Sequence, residues 1–287
     1  MLGRTMAGAC AAAVTAGAVV AGTIGAAAQT PAERGAYLVN TVMTCHNCHT
    51  PIGPNGPDMA RALTGGTPVF DTPAFKVRGS NITPDRQNGI GAWSDADIEK
   101  ALRHGVRPNG VPLAPPMPTG FYGVLTPADS AAIAAYLRTV RSSPNKVEMP
   151  VYKAAIEREA FPGAETPADP ATFSDNVKLG EYLVTIAHCM ECHTPREKGR
   201  LDFSAIGAGR QEFKGPWGVS VSRNISSHPT KGLASWTDAE IKRAITEGVS
   251  RDGGKLKPPM GYGFYARMTP ADLDAIVAYL RTVPPRE

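Results

Sequence analysis

TCHNCHTP, residues 44–51, sets two cysteines three positions apart with a histidine directly behind the second, and HCMECHTP, residues 188–195, repeats the arrangement. A cysteine pair beside a histidine suits a thiol-disulfide couple, part of a zinc site, or a covalent attachment point for haem. The surrounding sequence has to choose among them.

The repetition extends well beyond these eight residues. At an offset of 143 to 145 positions, GAYLV (35–39) returns as GEYLV (180–184), Asn81-Ile82 as Asn224-Ile225, and WSDADI (93–98) as WTDAEI (236–241). PPM (115–117) returns at 258–260, and LTPADSAAIAAYLRTV (125–140) returns as MTPADLDAIVAYLRTV (268–283). One fold is therefore expected twice, and 287 residues give room for two domains of ordinary size. The divisions expected are a leader over 1–28, a first domain over 29–143, a Pro-punctuated strap over 144–172 with one short helix near 152–161, and a second domain over 173–287.

Local signals place helices at matching points. Ser94 and Thr237 stand as N-caps with Asp97 and Glu240 three residues on, the reciprocal capping box, and Gly105 and Gly248 stop these helices. Thr126-Pro127 and Thr269-Pro270 open a last helix whose apolar face carries Ile133, Tyr136, Leu137 and Val140, or Leu273, Ile276, Val277, Leu280 and Val283. A third helix is expected to run up to each cysteine motif from about Ala32 and Asp175. No alternating stretch reads as a strand, so the fold class expected is all-α, short helices and loops.

Residues 5–28 are an uncharged Ala/Gly/Val run behind Arg4 that ends in Ala26-Ala27-Ala28, which predicts an export signal cleaved near Ala28 and a soluble, exported mature protein. Membrane association is expected only if that segment stays attached. Of the five cysteines, Cys10 falls in the leader and the other four all belong to the two motifs, leaving none for a disulfide scaffold. The formal charge of +4 is spread without basic runs, which excludes nucleic acid as an expected partner.

Thiol-disulfide exchange calls for one such pair in a sheet-containing domain, and zinc calls for further Cys or His ligands close by. Export, duplication and helical context favour haem, with Cys45 and Cys48, or Cys189 and Cys192, reaching two vinyl groups and His49 or His193 turned to the iron. A second axial ligand is needed, and no further histidine (His46, His104, His188, His228) recurs in both halves. Met117 and Met260 do, 68 and 67 residues after His49 and His193, each behind a Pro-Pro pair. The alternative for these methionines is gap-filling in a loop or core. Trp93 and Trp236, Asn81 and Asn224, and Tyr122 and Tyr265 recur between or behind the ligand positions and are expected either at the haem or in plain packing and turns. His104 and His228 are expected on the surface.

The paired C-x-x-C-H, the later Pro-Pro-Met and the terminal AYLRTV helix resemble class I cytochrome c domains, and the doubling resembles dihaem cytochromes c of bacterial periplasms, including subunits serving alcohol and aldehyde dehydrogenases. The resemblance covers both halves but neither leader nor strap. It implies two tandem domains and two covalently attached haem c groups, with His49 and His193 as proximal ligands and Met117 and Met260 as distal ones. It further implies an electron carrier rather than an enzyme, taking single electrons from a periplasmic dehydrogenase and passing them to another cytochrome or a terminal oxidase. The alternatives are a dihaem peroxidase-type enzyme and a fixed subunit of a dehydrogenase complex.

Overall fold

The computed structural model describes Met1, residues 29–54 and residues 56–287; the body of the expected leader and its cleavage site lie outside the described residues. In the first half, α1 (Pro31–Tyr37) runs on as a π-helical turn over Leu38–Val42 and is followed by α2 (His46–His49). Two hairpins come next, β1 (Ile52–Gly53) with β2 (Gly56–Pro57) and β3 (Val69–Asp71) with β4 (Phe75–Arg78), and then α3 (Asp95–His104), α4 (Thr119–Tyr122) and α5 (Pro127–Thr139). After β5 (Val151–Tyr152) the order recurs: α6 (Asn176–Ile186), α7 (Cys189–His193), β6 (Arg196–Glu197) with β7 (Arg200–Leu201), β8 (Glu212–Gly215) with β9 (Gly218–Val221), α8 (Asp238–Glu247), α9 (Tyr262–Tyr265) and α10 (Pro270–Leu280).

The helix boundaries fall where the capping chemistry puts them. Ser94 accepts the N–H of Asp97 while the Asp97 carboxylate accepts the N–H of Ser94, and Thr237 and Glu240 do the same. Gly105 and Gly248 take left-handed φ values of 68° and 65° to end α3 and α8. A further box, Thr30 with Glu33, opens α1.

The expectation of helices and loops alone is corrected by the hairpins, whose strands are two to four residues long and too short to display an alternating pattern. The expected helix near 152–161 is also replaced. Val151 and Tyr152 pair with Lys76 and Phe75, so the strap contributes β5 as a third strand of the first-half sheet, and Lys153 and Ala154 donate their N–H groups to the Ala74 carbonyl.

Each half is held by the crossing of its first and last helices, α1 on α5 and α6 on α10. The approach is backbone to backbone: a Cβ on Gly35 would stand 1.9 Å from the Ala132 carbonyl oxygen, and one on Gly180 1.9 Å from that of Ala275. Only glycine fits either position, which explains GAYLV and GEYLV. The AYLRTV arginines tie the last helix to the preceding tryptophan loop: Arg138 donates to the carbonyls of Ile90 and Trp93, Arg281 to those of Leu233 and Trp236.

The two halves share one apolar core, and their contact is reciprocal. Tyr37 of α1 donates its hydroxyl to Asp272 at the start of α10 and accepts the Thr269 N–H; Tyr182 of α6 donates to Asp129 at the start of α5 at 2.6 Å. Burial, then Asp272, push the Tyr37 hydroxyl up to about 12, so it stays a donor across the neutral range. Asp129 is held further by Arg34, whose Nε and Nη2 donate to its two oxygens at 2.8 and 2.9 Å.

Gly35→Ala or Gly180→Ala forces these helices apart and is expected to cost about 2 kcal/mol or more, within the overpacking range. Chemical denaturation of the variants checks it, with Gly263→Ala, where a Cβ meets nothing within 4 Å, as the neutral control.

Candidate functional site

Both cysteine motifs are launched from a strained residue. Thr44 and His188, directly before the first cysteine, take φ values of 46° and 43°, left-handed for residues with a Cβ and worth about 1 kcal/mol of strain each. This breaks the incoming helix and starts the short α2 and α7 at a new angle. Behind them Thr50 and Thr194, both fully buried, accept the N–H groups of Leu63 and Gly207 through their hydroxyls, fixing the exit. These threonines are visible in the sequence as the shared T of CHTP, a residue type that does not by itself mark this role.

Four cysteines, Cys45, Cys48, Cys189 and Cys192, are half-buried free thiols. Burial pushes Cys45 up to about 12 and Cys48 to about 11, with neighbouring negative charge adding to it, and Cys189 goes to about 12; Cys192 is raised as well. Such neutral thiols lack the low-pKa thiolate of a redox couple. Among the described residues no three His, Cys, Asp or Glu side chains gather in a way that could hold a metal ion, so zinc finds no ligand set.

The two histidines are oriented identically. His49 Nδ1 lies 2.8 Å from the Ser80 carbonyl and His193 Nδ1 2.7 Å from that of Arg223. A carbonyl only accepts, so Nδ1 carries the hydrogen and Nε2 keeps a free lone pair for a metal. Burial lowers both pKa values, which favours the neutral, ligating form.

Asn81 and Asn224, adjacent to those carbonyls, take the turn role. Asn81 Nδ2 donates to the carbonyls of Ser143 and Asn145, while its Oδ1 accepts the N–H and hydroxyl of Thr83. Asn224 likewise donates to the Arg286 carbonyl and accepts from Ser226. Trp93 and Trp236 are half-buried against the core. Met117 and Met260 occupy matching places, half-buried against the core, with the Met117 carbonyl accepting the Thr119 N–H at 2.7 Å and the Met260 carbonyl that of Tyr262 at 3.1 Å.

Tyr122 and Tyr265 sit where the two motifs meet. Burial raises the Tyr122 hydroxyl first, with Cys45, Glu191 and Cys48 around it; Tyr265 is raised by burial beside Cys189 and Cys192 and bonds Thr44. Tyr122 meets His188 edge-on at 6.2 Å, and Phe264 stacks on His46 at 5.6 Å. The loop behind each methionine thus packs on the cysteine motif of the other half. His46 is buried with both nitrogens engaged, Nδ1 with Thr50 and Nε2 with Asn40, each at 2.7 Å. His104 is exposed as expected. His228 departs from the surface expectation, since its Nδ1 accepts the N–H groups of Thr230 and Lys231 and shapes a turn.

Comparison with known proteins bears on this geometry. Residues 177–284 match the family described as Cytochrome c. The fructose dehydrogenase cytochrome subunit of Gluconobacter japonicus is 32% identical over 273 residues, 88% of this chain and 52% of that protein. The cytochrome c subunit of the quinone alcohol dehydrogenase of Komagataeibacter europaeus is 30% identical over 91% of this chain and 58% of its own length. A diheme cytochrome c-type protein of Cereibacter sphaeroides is 30% identical over 84% of this chain and 82% of its own. The chain belongs to the cytochrome c family.

A cytochrome c holds haem c covalently and transfers electrons through its iron. The free neutral thiols and the histidines with Nε2 left open are the donor set such a group needs. The chain spans little more than half the length of the dehydrogenase cytochrome subunits just named. No helix among the described residues is long and apolar enough to cross a membrane.

Asn81→Ala removes four hydrogen bonds from the loop that aims His49 and is expected to cost about 2 kcal/mol or more. Asn224→Ala, which removes three, should cost less; paired denaturation curves decide it.

Proposed function

We propose that this cytochrome c is a periplasmic dihaem electron carrier of two tandem class I domains, over 29–143 and 173–287, joined by the strap over 144–172. Cys45 and Cys48 would hold one haem, with His49 and Met117 as its iron ligands; Cys189 and Cys192 would hold the other, with His193 and Met260. The observation that carries the reading is the matched histidine geometry, in which each Nδ1 is spent on a backbone carbonyl 30 or 31 residues away and each Nε2 stays free. A single functional motif with a decayed copy would not keep that arrangement twice.

Each bound haem supplies a one-electron couple. The protein's part would be to set its properties: thioether sulfur from Met117 and Met260 would favour the reduced state and raise the potential. With a histidine and a methionine of the chain holding each iron, neither site would offer an open position for a reactant, which supports electron transfer over peroxidase chemistry. The reciprocal packing of each methionine-side loop on the opposite cysteine motif supports passage of electrons between the two sites within one chain.

The names of the relatives support a dehydrogenase as donor. Fructose dehydrogenase, quinone alcohol dehydrogenase and gluconate 2-dehydrogenase (that of Pantoea cypripedii) each have a cytochrome subunit similar to this chain. The same names support the fixed-subunit reading, and co-purification with a larger catalytic chain would favour it over a diffusing carrier.

Protein made with c-type cytochrome maturation should carry two covalent haems by pyridine haemochrome assay, and the Cys189→Ala/Cys192→Ala variant one. One haem in the wild type overturns the dihaem reading. Met260→Ala should remove about half of the near-infrared Met-to-ferric band and lower one of two midpoint potentials; an unchanged band excludes Met260 as a ligand.

A further inference from the structure

The two halves differ most where the strap runs. In the first half β5 covers the β4 edge, Tyr152 donates its hydroxyl to the Pro112 carbonyl, and Phe75 and Val77 are only 8% and 9% exposed. The strap continues over α4. Arg158 donates to the Thr119 carbonyl at 2.8 Å, Phe161 donates its N–H to the Gly120 carbonyl and stacks on Phe121 at 4.5 Å, and a Cβ on Gly120 would stand 1.8 Å from the Glu159 carbonyl oxygen.

Among the described residues no third strand takes this place on the second half; Ser220 of β9 instead donates its hydroxyl to the Pro258 carbonyl. The β8–β9 hairpin has the register of β3–β4, with Glu212 opposite Val221 as Val69 is opposite Arg78, but its sheet stops at two strands. Gly218 and Ser220 of β9 stand where β4 has Phe75 and Val77, and Val219 and Val221, in the places of Lys76 and Arg78, are 47% and 53% exposed. Gly263, the counterpart of Gly120, is exposed and has no neighbour for a Cβ within 4 Å. The uncovered face therefore runs from the β9 edge to the loop that carries Met260.

Its charge differs from the first half as well. Asp71, which pairs with Lys153 of the strap at 2.7 Å, has Lys214 as its counterpart. Lys255 and Lys257, also exposed, stand where the first half has Pro112 and Ala114, and Lys257 donates to the Val219 carbonyl. The acidic groups near by are the exposed Glu212 on β8 and Asp252, which is engaged with Ser250 and Gly254.

We propose that the β9 edge and the adjoining Met260 loop are the docking face for a redox-partner protein, which adds an extended segment of its own as a third strand. That segment resembles the strap in shape, with a β-branched and an aromatic residue at the pairing positions, but carries an acidic side chain where the strap has Lys153, opposite Lys214. Backbone pairing supplies affinity and the lysines supply the choice of partner. The proposal rests on reading the chain as a haem-loaded electron carrier, since it brings a partner beside the second site.

The probe is a synthetic peptide of residues 147–157 with Lys153→Glu, offered to the haem-loaded protein and followed by titration calorimetry and hydrogen exchange. Expected are one binding site and slowed exchange at 218–221. Affinity should fall at least about tenfold in Val219→Pro, which blocks strand pairing, and in Lys214→Glu, with the unmodified Lys153 peptide then preferred by Lys214→Glu. Unchanged haem spectra in both variants show that the fold is intact. No binding, protection elsewhere, or indifference to both substitutions overturns the proposal, as does protection of 218–221 by self-association without peptide. Haem content measured on the same samples separates the two readings: haem-loaded protein that ignores the peptide sinks only the docking face, whereas protein without haem sinks the carrier.

Discussion

In each half a carbonyl oxygen, that of Ala132 or Ala275, occupies the space where a Cβ on Gly35 or Gly180 would be. This contact allows the helix leading to the cysteines and the last helix to cross at backbone distance, and much else follows from it. The first helix ends about one helix length later at a left-handed residue, Thr44 or His188, so the crossing sets where each C-x-x-C-H begins. The last helix carries Arg138 or Arg281 back to the tryptophan loop, so the same crossing locates the segment between the histidine and the methionine. The histidine and the methionine proposed as ligands, nearly 70 residues apart in sequence, are referred to one rigid joint.

The joint between halves uses the same helices. Tyr37 and Tyr182 lie two positions after the crossing glycines, and Asp129 and Asp272 stand near the N-termini of the last helices, where the helix dipole already favours a carboxylate. Each tyrosine satisfies a carboxylate in the other half. A buried carboxylate is costly unless its lone pairs are occupied, and Asp129 meets that condition with Arg34 and Tyr182 together. The arrangement is directional, because only one relative placement of the halves satisfies both tyrosines. That placement brings Tyr122, Tyr265, His46 and Phe264 into the seam between the cysteine motifs.

Much of this was legible in the sequence because duplication doubled every signal. The capping boxes at Ser94 and Thr237, the stops at Gly105 and Gly248, and the Thr-Pro openings were all readable from residue chemistry and are found as read. The hairpins were not, since strands of two to four residues carry no period. The strand at Val151 and Tyr152 was missed because its partner, β4, is remote in sequence and has no copy of β5 in the second half. The acceptors that orient His49 and His193 are main-chain carbonyls of unlike residues, Ser80 and Arg223, which leave no signature; only the neighbouring Asn marked the place, and its amide serves the turn. His228 read as a surface residue because its bonds go to backbone N–H groups two and three residues on.

Duplication also makes the differences between halves informative, since any position can be compared with a copy under the same fold. The strap gives the first half a third strand, a covered α4 and a buried glycine, and it goes on to touch the second half, where Glu159 accepts the Leu201 N–H and faces Arg196. It therefore seals the first half and fastens it to the second in one passage. The copy that lacks this cover keeps glycine at 263 without needing it for packing, and carries lysine at 214 where the sealed copy has aspartate. Loss of cover alone would leave the old charge and an apolar edge open to self-association. Three exposed lysines around β9 instead make that edge repel its own kind while remaining attractive to an acidic strand, which is the charge pattern of a surface kept open for another protein.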